Sequence, residues 1–143
     1  MTMNITPDLI RSYDPCYDPS DYLSEDYEAH LVEFLNHPQI PASDKLWLVL
    51  RGDFIDTKTL RLFAVWCARE ALKLVESPDT RIIEATNVAE LFANGQATKE
   101  ELDAARAAAR AATRDAARAA QEKQLRAMLE AQEHDGIERE VRA

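Results

Sequence analysis

Glycine is scarce here: three residues in a chain of 143. So few cannot supply the φ > 0 turns that β-hairpins require, which argues against a hairpin-rich fold. Cysteine is nearly absent, with only Cys16 and Cys67 and no Cys-x-x-Cys. His30, His37 and His134 do not fall at metal-ligand spacing with them. No metal site is expected, and both thiols should be reduced, with Cys67 buried on a helix. Gly-x-Ser-x-Gly, His-Glu-x-x-His and phosphate-loop patterns are missing as well. No catalytic residue and no cofactor can be nominated, and the expectation is a protein that is not an enzyme. There is no hydrophobic run of membrane-spanning length, and Met1-Thr2-Met3-Asn4 lacks a basic-then-apolar leader. The expected location is cytoplasmic, with no membrane partner.

What is present is a balance of 46% hydrophobic and 30% charged residues, which fits a folded rather than a disordered chain. The net charge of −9 is uneven: residues 1–97 carry eight basic and sixteen acidic side chains, residues 98–143 nine and ten. Such acidity opposes direct nucleic-acid binding, which relies on clustered Lys and Arg.

The pattern predicts an all-α fold, a bundle of five to six helices ending in a long Ala-rich helix. Thr6-Pro7-Asp8 is a helix start: a cap, a proline at the first helical position, an acid in the first turn. That helix should reach Tyr13, before two Asp-Pro steps turn the chain. Tyr27, Leu31, Phe34 and Leu35 predict a second helix from Ser20 or Ser24 to Asn36. Ser43 should cap a third, Asp44 to Arg51, closed by Gly52. The fourth, Lys58 to Glu76, is apolar over most of its girth, so it is expected at the centre of the bundle, with Trp66 in the core. Ile82, Ile83, Ala85, Ala89 and Phe92 mark the fifth, stopped by Asn94-Gly95. Thr98-Lys99-Glu100-Glu101 is a capping box. Beyond it the chain is mostly alanine, the best helix former, to about Glu133. The resulting organisation is an acidic helical domain over 1–97, a long Ala/Arg-rich helix over 98–133 that packs on it or on a second chain, and a frayed tail over 134–143.

Two stretches are candidates for contact. Tyr13, Tyr17, Tyr22 and Tyr27 lie in one segment with Asp14, Asp18, Asp21 and Asp26. Tyrosines anchor interfaces and carboxylates steer encounter with a basic partner; the alternative is a solvated loop whose tyrosines pack on the bundle. The aspartates do not match the alternating ligands of a calcium loop, and no glycine sits among them. In the last helix, Arg106, Arg110, Arg114 and Arg118 recur every fourth residue. They read either as a solvated face or as the border of an alanine stripe, Ala105, Ala109, Ala112 and Ala116, small enough to let a second copy approach. Such a stripe buries little area per residue and needs length to hold.

The stretch Thr59-Leu60-Arg61-Leu62-Phe63-Ala64-Val65-Trp66-Cys67-Ala68-Arg69, then Val88-Ala89-Glu90-Leu91-Phe92-Ala93-Asn94-Gly95-Gln96-Ala97-Thr98 and the alanine-rich helix, resembles an all-helical immunity-protein family of polymorphic-toxin loci and phage genomes. The resemblance spans about residues 45–125. It implies a non-catalytic binding protein of a bacterial host cell, an immunity-type or phage-encoded inhibitor or adaptor of a toxin or host protein, and carries over no catalytic residue. The expectation is therefore a protein-binding module. The alternative is a structural protein that dimerises through the Ala-rich helix, and a smaller place remains for mimicry of nucleic acid by the aspartates.

Overall fold

The structure, a computed structural model, describes residues 3–142. Among the described residues the chain is all-α: six α-helices and one 3-10 turn, with a single isolated bridge between Ile5 and Ala29 in place of any strand. It divides into two compact units, Met1–Ala64 and Val65–Ala143. The division falls inside a helix rather than at Ala97, where the composition changes.

In the first unit, α1 (Pro7–Ser12) begins as its sequence requires, the Thr6 hydroxyl accepting from the Leu9 amide at 3.1 Å. The long second helix does not form. Asp18 instead accepts from the Ser20 amide at 3.0 Å and caps a 3-10 turn, Pro19–Asp21, and α2 is only Leu31–Leu35. The cause is tertiary. The Ile5 amide donates to the Ala29 carbonyl at 2.8 Å and the Ala29 amide returns the bond at 3.1 Å, so the chain before His30 is held extended. α3 (Ala42–Val49) starts directly after Pro41, and Lys45 donates to the carbonyls of Leu35 (2.8 Å) and His37 (3.0 Å). A cation there satisfies acceptors left over at the end of α2. Ile5, Ile10, Leu23, Phe34, Ile40, Leu48 and Val49 form the core of this unit. Each such side chain contributes about 1.5–3 kcal/mol by leaving water.

α4 (Thr57–Leu72) starts at Asp56, whose carboxylate accepts from the Thr59 amide at 2.9 Å. It stops short of Glu76, because the Leu74 and Val75 amides bond back three residues, to Ala71 and Leu72, and close the last turn. Its apolar girth does not make it central. Val65 is its one buried residue, Trp66 is 56% exposed, and Cys67 lies at the surface rather than in a core. The second unit is built instead on a helical hairpin of α5 (Thr80–Ala93) and α6 (Lys99–Arg142). Asp79 caps α5, and Gly95 closes it at φ 74° with the Gln96 amide bonded to Leu91 O at 2.7 Å. This is the six-to-one bond of a glycine-closed helix end. The Thr98 hydroxyl accepts from the Glu101 amide at 3.1 Å while the Glu101 carboxylate takes the Thr98 amide at 3.2 Å, which is the capping box realised. At 44 residues α6 is about 66 Å long. It runs on through His134, where a frayed tail was expected, with His134 and Glu138 one turn apart and 3.2 Å between them.

Candidate functional site

The Tyr13–Tyr27 segment separates cleanly into rings and carboxylates. All four tyrosines are half-buried against the core of the first unit. The Tyr13 hydroxyl donates to Asp53 at 2.7 Å, and its ring lies 5.7 Å from that of Phe54. The Arg51 guanidinium sits 4.7 Å from the Tyr13 ring centre and 4.9 Å from that of Trp47, a stacked arrangement. Tyr17 and Tyr22 meet edge to face at 5.8 Å, as do Tyr27 and His37. These contacts lock the rings. The phenols are correspondingly hard to ionise: the bond to Asp53 raises the Tyr13 pKa, and burial raises those of Tyr17 and Tyr27.

The carboxylates face water. Asp14, Asp18, Asp21 and Asp26 are all exposed. Asp14 holds φ at 57°, a left-handed conformation in which aspartate is one of the few tolerated side chains. One base serves the segment. Arg11 lies 2.8 Å from Glu25, 3.0 Å from Asp8 and 3.7 Å from Asp18. The Arg11 bonds hold Glu25 below the ordinary carboxylate range, whereas Asp18 is lowered first by the Ser20 bonds and then by Arg11. Among the described residues, Asp14, Asp21 and Asp26 form no ion pair. The segment thus presents exposed negative charge above packed aromatic rings. Among the described residues no group of three or more His, Cys, Asp and Glu is arranged to hold a metal ion, and no helix is long and apolar enough to cross a membrane.

The alanine stripe is placed differently from the carboxylates. Ala112 is buried, and Ala105 and Ala109 flank α5 beside Thr80, Arg81 and Ile82. Of the four alanines singled out, only Ala116 is exposed. The small-residue face therefore meets α5 of its own chain for its first half, and Arg81 closes that contact with Asp115 at 3.2 Å. Two features escaped the sequence reading. One is the Trp47–Arg51–Tyr13 stack, which joins positions far apart in the chain. The other is an exposed apolar group on α6, Leu125, Met128 and Leu129, whose spacing of three and four was legible.

No protein-family model, no curated protein and no solved structure matches this chain.

Proposed function

We propose that this is a non-catalytic protein-binding module that engages a basic surface of a partner through the carboxylates of the Tyr13–Tyr27 segment. One observation carries the reading: Arg11, Lys45 and Arg51 are engaged within the first unit, whereas Asp14, Asp21 and Asp26 form no ion pair among the described residues. Arg11 answers three carboxylates, Lys45 is bonded to two carbonyls and Arg51 is stacked on two rings. Asp14, Asp21 and Asp26 remain exposed. Exposed carboxylates on a packed aromatic base steer a basic partner. The setting is the cytoplasm of a bacterial host cell, with a toxin or a host protein as partner, in the manner of an immunity-type or phage-encoded inhibitor.

The test is affinity capture with the full chain and with Asp14→Asn/Asp18→Asn/Asp21→Asn/Asp26→Asn, followed by calorimetry on what is retained. Asparagine still caps the Pro19–Asp21 turn. A basic protein held by the parent chain, released by salt and lost in the variant is the expected outcome. Equal retention by both chains would reject the acidic surface as the contact.

A further inference from the structure

Among the described residues, the second half of α6 buries no side chain. Every residue from Thr113 to Val141 is exposed. Most helical stability in proteins comes from packing of an amphipathic face rather than from intrinsic propensity. Leu125, Met128 and Leu129 nevertheless form one apolar face, 57%, 56% and 50% exposed. At 100° per residue, Leu125 lies within about 40° of the point opposite Leu102, Ala105, Ala109 and Ala112, the residues turned to α5. The face is therefore a second one, which the hairpin leaves open.

We propose that this face pairs antiparallel with α6 of a second copy of the chain. The charge along the helix identifies the occupant. Residues 104–121 carry four arginines and one acid, whereas 127–141 carry five acids and one arginine. Parallel pairing sets like charge against like; antiparallel pairing sets Arg106–Arg118 of one copy against Glu130–Glu140 of the other. The midpoint of the arginine run is Ala112 and that of the acidic run is Asp135. A two-fold axis that superposes the runs passes between Lys123 and Gln124, beside Leu125. In that register Leu125 lies within two residues of the axis and meets its counterpart across it, while Met128 and Leu129 lie about one turn further along each helix. Among the described residues Arg106, Arg110, Arg114 and Arg118 form no ion pair within the chain, so they are free to meet the partner's acids. This contact is separate from the acidic surface of the first unit, and either can fail without the other.

Sedimentation equilibrium of the full chain reads the association, and circular dichroism confirms that helix content is kept. A monomer–dimer equilibrium is expected. It should weaken at least tenfold in Leu125→Glu/Leu129→Glu, whose positions touch nothing in the hairpin, and should also weaken as salt screens the paired runs. Orientation is read with single spin labels after Cys16 and Cys67 are replaced by serine. A label at Gln124 should give a short distance between copies and one at Arg106 a distance of about 50 Å, from the helical rise. A strict monomer at high concentration, a dimer indifferent to Leu125→Glu/Leu129→Glu, or short distances at both label sites would each overturn the proposal.

Discussion

At the scale of single residues, the ion pairs and caps fix how stability responds to acid. Asp18, Glu25, Asp56, Asp79 and Glu90 all have pKa values below the usual range. A carboxylate whose pKa is lower in the folded chain contributes stability that is complete above its unfolded value of about 4 and is lost as pH falls through the folded value. Urea midpoints should therefore be flat near neutrality and decline from about pH 4 downward. Two mechanisms underlie the shifts. Glu25 and Glu90 are lowered chiefly by Arg11 and Arg69, and Asp79 by Arg81, whereas Asp18 and Asp56 are lowered chiefly by backbone amides. Added salt should blunt the first group more than the second. Tyr17 gives a prediction of opposite sign. Its hydroxyl is buried and makes no hydrogen bond among the described residues. Tyr17→Phe should leave stability unchanged or raise it by up to about 1 kcal/mol, since the penalty of an unpaired buried group disappears. Chemical denaturation checks this, and a clear loss would mean that the hydroxyl has a partner.

At the scale of elements, the legible parts of the fold were those governed by neighbours in sequence. Thr6-Pro7, Thr98 with Glu101, and Asn94-Gly95 each act within a few residues, and each helix end appears where its chemistry placed it. The second helix failed for the opposite reason. The bridge from Ile5 to Ala29 joins distant positions, and no periodicity in Ser20–Asn36 could announce it. α4 failed because periodicity shows that a face is apolar, not that anything covers it. The carboxylates of the candidate site were visible as composition, but their pairing with Arg11 and the stacking of Arg51 needed coordinates. Two of the three glycines give a measurable contrast between two helical elements. At Gly95, φ 74° is strained for any side chain, so Gly95→Ala should cost about 1 kcal/mol. Gly136 lies inside α6 with open space around it, so Gly136→Ala should raise the helicity of the distal half by about 0.5–1 kcal/mol. Circular dichroism through thermal unfolding reads both.

At the scale of the whole molecule, charge and order are distributed between two units of different build. The first has an aliphatic and aromatic core and shows water a set of unanswered carboxylates. The second relies on a hairpin of small residues and leaves half of its longest helix bare. Both offer exposed surfaces suited to contact. The claim that the carboxylates of the Tyr13–Tyr27 segment make that contact is tested most directly by the association rate of the captured partner against ionic strength. The rate is measured for the parent chain and for Asp14→Asn/Asp18→Asn/Asp21→Asn/Asp26→Asn. Electrostatic steering predicts a parent rate that falls steeply with salt, by a factor on the order of 10 or more, towards a basal value that the variant shows at every salt concentration. Rates that coincide for the two chains and do not change with salt would contradict it.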